Sequence, residues 1–297
     1  MNKIGIHICY WWGTGYENDI HQLIRLTKET GADVMEMTLS WLLNTDSAGR
    51  RALRAEMDAV GIEPTVNGGL VEENDISSHD PLIREKGIEY CKRALDAMYE
   101  MGITVWSGSN YSAWLKKPSA PIDDEQRRRD ADIAVRSLRQ IMPAAEAAGV
   151  DFCFEVLNRF EQYLFNTSQE AVEFAQAVGS PRAKLLLDTY HMNIEEDSIT
   201  DAIDYAAKHG RLGHIHIGES NRRIPGTGKT HMDWDGIMKA IVNTGYTGVL
   251  TMEPFVLPNA SNAHRTCTWR QTCRSNDIDS LVADVRTGAE FLRSKLR

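Results

Sequence analysis

Four residues with side chains typical of metal ligands stand at or near the ends of apolar segments in the second half of the sequence. Glu155 ends the segment DFCFE, Asp188 ends KLLLD, His216 lies in LGHIHI and Glu253 ends VLTME. A carboxylate buried among apolar residues costs free energy unless it is paired or coordinated. Three carboxylates and one imidazole suit a hard or borderline cation, so the set predicts a site for Mn²⁺ or Mg²⁺, with Co²⁺ or Zn²⁺ as alternatives.

The segment LGHIHI offers two histidines as ligands, because residues two apart on a strand point to the same face. His216 lies nearer the C-terminal end of the segment, and we predict that it is the ligand. His214 would lie one layer deeper, where a hydrogen-bonded core histidine is the favoured interpretation.

Charged residues that could bind a polyol lie three to six positions beyond three of these predicted ligands: Glu161, His191 and Arg222. An arginine and a neutral histidine beside a metal can polarise a carbonyl and stabilise an enediolate oxyanion. Each residue taken alone would more simply be a solvated loop residue. Four tryptophans lie at or beyond the first and fourth apolar segments and could form apolar walls for a sugar: Trp11, Trp12, Trp106 and Trp114. Trp106 could equally belong to the core.

Eight short apolar segments alternate with amphipathic segments along the chain. The apolar segments predict strands at Ile4–Tyr10, Val34–Leu39, Pro64–Asn67, Thr104–Ser107, Phe152–Leu157, Lys184–Thr189, Leu212–Ile217 and Gly248–Glu253. The amphipathic segments predict helices at Asn18–Thr30, Ser47–Val60, Leu82–Met101, Glu125–Ala148, Ser168–Val178, Ile199–His209, Trp234–Asn243 and Ile278–Lys295. Single helices between successive strands imply parallel pairing with right-handed crossovers. Eight such units close into one (βα)₈ barrel, the TIM-barrel fold, which we expect to occupy residues 1–297 as a single domain whose chemistry lies at the C-terminal ends of the strands.

The composition excludes several classes of function. Hydrophobic residues make up 42% and charged residues 25% of the chain, as in ordinary globular proteins. The net charge of −9 argues against a nucleic-acid partner. Neither a signal peptide nor an apolar run long enough for a membrane span is evident. Scattered cysteines favour a reducing cytoplasm: Cys9 and Cys153 are expected to be buried thiols, and the state of Cys267 and Cys273 is left open.

Four motifs together closely resemble the ketose 3-epimerases, the D-tagatose 3-epimerase and D-psicose (D-allulose) 3-epimerase family of xylose-isomerase-like barrels. They are EVLNRFE, LDTYHMNIEED, GHIHIGESNRRIPG and MEPF, and the similarity extends from Ile4 to the last helix. The resemblance implies that Glu155, Asp188, His216 and Glu253 bind a metal, usually Mn²⁺. It also implies that Glu155 and Glu253 act as acid and base on opposite faces of C3. Glu161, His191 and Arg222 match the residues that bind the O1–O2 end of the ketose.

The resemblance is weaker in the N-terminal half. Relatives carry an aromatic residue where this chain has His7, and many have a further tryptophan where this chain reads Gly13-Thr14-Gly15. Gly108 and Trp114 fit the family's loop after the fourth strand. The resemblance implies that the missing aromatic residues line the pocket for the C4–C6 end of the sugar. The substrate pair is therefore left open among D-fructose/D-psicose, D-tagatose/D-sorbose and L-ribulose/L-xylulose.

The predicted reaction is epimerisation at C3 through a cis-enediolate intermediate. Three other functions are alternatives to it. An aldose–ketose isomerase of the same superfamily would move a proton between C1 and C2. An endonuclease with this barrel would need several zinc ions, more histidines and a basic groove. An inert sugar-binding barrel would have no reason to keep two carboxylates at a metal. For an epimerase we expect a small-molecule ketose as the partner, with no nucleic acid or membrane, and a homodimer or homotetramer.

Overall fold

The computed structural model describes residues 2–296, which form a closed barrel of eight parallel strands surrounded by helices. The strands pair in chain order, and the eighth closes on the first. They are β1 Ile4–His7, β2 Val34–Thr38, β3 Glu63–Asn67, β4 Val105–Gly108, β5 Asp151–Glu155, β6 Ala183–Asp188, β7 Leu212–Ile217 and β8 Leu250–Met252. The α-helices are α1 Ile20–Glu29, α2 Leu39–Asn44, α3 Ser47–Val60, α4 Pro81–Met101, α5 Asp124–Ala148, α6 Ser168–Val178, α7 Thr189–Glu195, α8 Ile199–Lys208, α9 Trp234–Asn243 and α10 Ile278–Lys295. The predicted (βα)₈ barrel is confirmed.

The first strand is shorter than the predicted range Ile4–Tyr10. It ends at His7, because Ile8–Trp11 form a 3₁₀ helix. The His7 side chain caps this turn: its Nδ1 accepts a hydrogen bond from the backbone N–H of Cys9 at 3.0 Å. The predicted C-terminal end of the strand was therefore wrong, and the early turn places His7 at the mouth of the barrel.

Two short helices, α2 and α7, were not predicted, because each follows its strand without a connecting loop. α7 begins immediately after β6, and Asp188 is its N-terminal cap. One carboxylate oxygen of Asp188, Oδ1, accepts a hydrogen bond from the backbone N–H of Tyr190 at 2.7 Å. The cap fixes the side chain, and the other oxygen, Oδ2, accepts from Nη1 of Arg222 at 2.6 Å.

Alternation along the strands separates a polar barrel interior from an apolar layer beneath the helices. The apolar layer contains buried strand residues such as Ile6, Met35, Phe152, Leu187 and Ile215. Inside the barrel, Glu36 accepts hydrogen bonds from Thr65, Ser107 and His214. Barrels of this kind are usually filled by branched aliphatic residues, so the polar interior is itself a sign of function.

Within residues 2–296, no helix is long and apolar enough to cross a membrane.

The five cysteines all lie within residues 2–296 and form no disulfide. Cys9, Cys91 and Cys153 are buried, whereas Cys267 is exposed and Cys273 is half-buried. The interpretation of Cys9 and Cys153 as buried thiols is therefore confirmed.

Candidate active site

The four predicted metal ligands meet at the C-terminal end of the barrel. Glu155 ends β5, Asp188 ends β6, His216 lies in β7 and Glu253 directly follows β8. All four are buried, and one ligand atom from each lies within 4.8 Å of the others. Residues as far as 98 positions apart in the sequence thus form one cluster, because β5 to β8 are successive neighbours in the barrel.

The imidazole of His216 is oriented as a metal ligand. Its Nε2 lies 2.8 Å from Oε2 of Glu36, and a carboxylate can only accept, so Nε2 carries a proton. Its buried Nδ1 has no hydrogen-bond partner in the described chain and lies 3.5 Å from Oε2 of Glu253. Burial opposes a positive charge here, but Glu36 and Glu253 raise the pKa of His216 well above its ordinary value. A divalent cation could replace the second proton at Nδ1, so the residues present fit a metal.

Arg222 connects two of the predicted ligands. Its Nη1 donates to Oδ2 of Asp188 at 2.6 Å and lies 3.2 Å from Oε2 of Glu253. The guanidinium also stacks on the ring of Tyr190, 3.9 Å from its centroid. The backbone of Arg222 is left-handed, with φ of 60°, a conformation that costs a residue with a side chain about 1 kcal/mol. The hydrogen bonds and the stacking hold the residue in this strained position.

His191, in α7, presents a second donor beside Arg222. Its Nδ1 accepts hydrogen bonds from the backbone N–H and the side-chain amide of Asn158, at 3.2 and 2.7 Å. Since Nδ1 accepts, Nε2 carries a proton; it lies 3.4 Å from Oε1 of Glu155 and 3.0 Å from Nη2 of Arg222, a group that can only donate. Two donors this close repel each other, and a carbonyl or alkoxide oxygen placed beside both would accept from both.

Glu161 joins the loops that follow β4 and β5. Its Oε2 accepts from the indole N–H of Trp114 at 2.9 Å, and its Oε1 accepts from the amide of Asn158 at 3.1 Å. Asn158 thus orients both His191 and Glu161. Asn158 was not among the predicted site residues, although it lies within the motif EVLNRFE.

The cluster opens into a cavity of about 350 Å³, within the usual range for a small-molecule site. The predicted site residues that line it are His7, Trp114, Glu155, Glu161, His191, Arg222 and Glu253.

Of the other three tryptophans that were predicted to form walls for a sugar, Trp12 also lines the cavity, whereas Trp11 and Trp106 are fully buried away from it. Trp106 packs against Phe152 with ring centroids 4.4 Å apart, so it belongs to the core.

Gly108 shapes the site through its backbone and is not among the described residues that line the cavity. Its φ is 118°, and a Cβ atom there would lie 3.1 Å from the backbone nitrogen of Gly68. The close approach of the β3 and β4 ends therefore requires glycine. This contact sets the path of the loop that carries Trp114.

His7 places a free donor in the cavity, beside Glu253. Since its Nδ1 accepts from the backbone of Cys9, the proton of the neutral ring lies on Nε2. This Nε2 is buried, and within residues 2–296 it has no hydrogen-bond partner. Burial lowers the pKa of His7, which keeps the ring neutral. A nitrogen of His7 also lies within 4.8 Å of a carboxylate oxygen of Glu253.

The two glutamates of the cluster have opposite electrostatic environments. Burial and the charge of Glu253 raise the pKa of Glu155, against the opposing hydrogen bond from His191. Burial also acts to raise the pKa of Glu253, but His216 and Arg222 outweigh it and bring the pKa to about 2. Carboxyl groups whose pKa values are pushed apart are typical of acid/base pairs. A bound cation would lower both values.

Glu36, in the middle of β2, was missed by the sequence analysis. It is completely buried and contacts His216, a predicted ligand. The segment VMEMT carried the same signal as the segments of Glu155, Asp188 and Glu253, a carboxylate within an apolar run. Glu36 lacks the second signal, a position at the C-terminal end of its strand, because it lies in the middle of β2.

Comparisons with known proteins identify the family of this chain. The family model described as xylose isomerase-like TIM barrel matches residues 24–279. The D-psicose 3-epimerase of Ruminiclostridium cellulolyticum is 37% identical over 294 residues, which cover 98% of this chain and 97% of that relative. The L-ribulose 3-epimerase of Mesorhizobium japonicum is 31% identical over 278 residues, which cover 93% of this chain and 90% of that relative.

A solved structure gives the same result in three dimensions. The crystal structure of D-psicose 3-epimerase with D-tagatose from Clostridium cellulolyticum H10 matches with a TM-score of 0.92 and 36% identity. The match covers 99% of both chains. The resemblance predicted from the four motifs is confirmed, and the chain belongs to the xylose isomerase-like TIM-barrel family and, within it, to the ketose 3-epimerases.

Proposed function

We propose that this chain is a metal-dependent ketose 3-epimerase that inverts C3 of a free ketose through a cis-enediolate, and that the barrel acts as a single catalytic domain. The observation that carries the proposal is the meeting of Glu155 and Glu253 in one cavity, with ligand atoms within 4.8 Å of those of Asp188 and His216. Inversion requires one group to remove a proton from C3 and another to return one to the opposite face. The relatives named above act on D-psicose and L-ribulose, which are both ketoses.

We assign Glu155, Asp188, His216 and Glu253 as the residues that hold the metal. Three carboxylates and the free Nδ1 of His216 favour Mn²⁺, with Co²⁺ or Mg²⁺ as alternatives. When bound, the cation would act as a Lewis acid that makes the C3 proton easier to remove. The side chains supply the remaining chemistry.

Glu155 and Glu253 are the proposed acid and base. β6 and β7 lie between β5 and β8 in the barrel, so the two carboxylates enter the cavity from different directions. The glutamate that faces the C3–H bond removes the proton, and the other glutamate returns one from the opposite side. The two residues exchange these tasks when the other epimer is the substrate.

We propose that Glu161, His191 and Arg222 bind the O1–O2 end of the ketose. The N–H groups of His191 and Arg222 converge, with their nitrogens 3.0 Å apart, and an oxygen that bears developing negative charge would satisfy both. Glu161 is held by Trp114 and Asn158 and can accept a hydrogen bond from a sugar hydroxyl. These contacts would orient C2 and C3 relative to the two glutamates.

We propose that His7 and Trp114 contact the C4–C6 end of the sugar, and that Gly108 contributes by setting the path of the loop. The free Nε2–H of His7 would donate to a hydroxyl, since a buried donor without an acceptor costs free energy. The ring of Trp114 would pack against C–H groups. Substrate pairs compatible with this arrangement are D-fructose/D-psicose, D-tagatose/D-sorbose and L-ribulose/L-xylulose.

Isotope exchange tests the proposed reaction directly. The Mn²⁺-loaded protein is incubated in D₂O with D-fructose, D-psicose, D-tagatose and L-ribulose, and NMR locates the deuterium and identifies the product. We expect deuterium at C3 and formation of the C3 epimer. Deuterium at C1 with an aldose product would instead establish an aldose–ketose isomerase. No turnover with Mn²⁺, Co²⁺ or Mg²⁺ would contradict the proposal and indicate a sugar-binding barrel.

We also propose that the protein is a homodimer or homotetramer, because closed symmetric assemblies are the most common oligomers. The described loops at the C-terminal end of the barrel carry exposed large hydrophobic residues, among them Phe160 and Trp269, which are 63% and 66% exposed. Light scattering after size-exclusion chromatography measures the mass, and a monomer at micromolar concentration would contradict this part of the proposal.

A further inference from the structure

Glu36 lies in the polar interior of the barrel, beneath the metal-ligand cluster. Its side chain is completely buried, and both carboxylate oxygens are used. Oε2 accepts from Nε2 of His216 at 2.8 Å, and Oε1 accepts from Nε2 of His214 at 2.9 Å. Ser107 and Thr65 donate hydroxyl groups to Oε1 at 3.2 and 3.3 Å. A buried carboxylate surrounded by donors is stable as an anion.

This arrangement determines the protonation of His216. The carboxylate of Glu36 can only accept a hydrogen bond, so Nε2 of His216 is the donor and carries a proton. The lone pair of a neutral His216 ring is therefore at Nδ1. That atom lies 3.5 Å from Oε2 of Glu253, and in the described chain it has no hydrogen-bond partner.

His214 fixes Glu36 in turn. The two histidine rings are 5.2 Å apart and nearly perpendicular, so each reaches a different oxygen of the same carboxylate. His214 does not belong to the cluster of four ligands, and its Nδ1 makes no hydrogen bond among residues 2–296. Its contact with Glu36 accounts for a histidine at this depth and supports the prediction of a hydrogen-bonded core histidine.

We propose that Glu36 is a positioning residue that holds His216 with Nδ1 unprotonated and directed at the metal, and that His214 holds Glu36 in place. This inference rests on the proposed metal site and adds a supporting layer below it. A carboxylate that receives the distal N–H of a metal-bound histidine restricts the ring and increases its basicity. Glu36 would thus act on metal affinity without contacting the metal or the sugar.

Glu36→Gln is the informative substitution, because glutamine has nearly the same shape but offers one oxygen and one NH₂ group. Two Nε2–H donors face this position, and the amide oxygen can accept from one of them in place of the two carboxylate oxygens. The other histidine must then move its proton to Nδ1. In His216 that proton would occupy the position of the metal, and in His214 it would lie buried without a partner.

The test compares Mn²⁺ binding by equilibrium dialysis for the wild-type protein and Glu36→Gln, with thermal melting of both metal-free proteins. We expect the variant to bind Mn²⁺ about 10–100-fold more weakly. Asp130→Asn is the matched control, since Asp130 is another buried carboxylate that contacts a histidine, His79, at 2.9 Å, and a tyrosine, Tyr163, at 3.0 Å. Asp130 belongs to α5 and does not line the cavity, so its variant should melt earlier with unchanged Mn²⁺ affinity.

Each outcome decides between a positioning role and a structural one. Unchanged Mn²⁺ affinity in Glu36→Gln, even with a lower melting temperature, would overturn the inference and leave the metal site intact. Failure of the wild-type protein to bind Mn²⁺, Co²⁺ or Mg²⁺ would overturn the proposed metal site as well. If Glu36→Gln does not fold, His214→Asn replaces it, with an expected loss of Mn²⁺ affinity smaller than tenfold but measurable. Equal affinity in His214→Asn and wild type would then refute the inference.

Discussion

The two halves of the barrel carry different chemistry at the ends of their strands. The second half, β5 to β8, supplies the charged cluster, from Glu155 to Glu253, within a single 4.8 Å neighbourhood. The first half supplies neutral groups to the cavity, including His7, Thr38 and Asn67. The charged half is suited to moving a proton at one carbon, and the neutral half is suited to contacting the rest of the sugar.

This difference predicts how substitutions should act. Changes in the second half should reduce turnover for every ketose, because they affect the reacting carbon. Changes in the first half should alter which ketose is preferred and leave the reaction itself intact. Glu36 is the informative exception, since it belongs to β2 but contacts His216 of β7.

The largest effect is expected from removing the proposed acid/base groups of the second half. Glu155→Gln and Glu253→Gln should each lower kcat by about 10²–10⁴-fold, since an amide cannot take up the C3 proton. Rates are measured at saturating Mn²⁺ with metal content determined, so that loss of metal is separated from loss of the base. Asp130→Asn serves as the control. Near-normal kcat in either glutamine variant would show that the residue is not part of the pair.

A smaller but still large effect is expected for Arg222. Arg222→Lys keeps the positive charge, but a single ammonium group cannot contact Asp188 and Glu253 while also facing His191. We therefore expect kcat/KM to fall about 10²–10³-fold, as for the loss of an oxyanion donor. The neighbouring substitution Arg223→Lys is the matched control, because Arg223 is not among the described residues that line the cavity. An equal loss in both variants would indicate a general effect on the loop.

The second half was also the part that the sequence predicted best. Each predicted ligand ends or nearly ends an apolar run, and strand order alone requires the ends of β5 to β8 to meet. The eight strands were predicted from the same kind of apolar run, since these runs alternate with amphipathic segments along the chain. α2 and α7 were missed because their first residues continue directly from the strands, with no loop to mark a change of structure.

Interactions across the barrel could not be predicted in the same way. Glu36 meets His214 and His216 across separations of 178 and 180 residues, and no local pattern indicates which inward-facing residues of distant strands touch. The orientation of His7 depends on the 3₁₀ turn at Ile8–Trp11, where the pattern predicted a continuous strand. The first half of the site therefore needed the structure, because its polar contacts depend on turns and side-chain directions.

The smallest of these predicted effects concerns His7, and it tests the specificity assigned to the first half. His7→Phe removes the free Nε2–H, so KM for the preferred ketose should rise about fivefold to tenfold, as for one net hydrogen bond, with little change in kcat. Deoxyketoses that lack the hydroxyl at C4, C5 or C6 identify its partner. The wild-type protein should lose affinity for one of these analogues, and His7→Phe should show no further loss with that same analogue. If His7→Phe still loses affinity with each of the three analogues, His7 binds none of these hydroxyl groups. A large fall in kcat would instead mean that His7 supports Glu253, and the two halves would then not be separate in function.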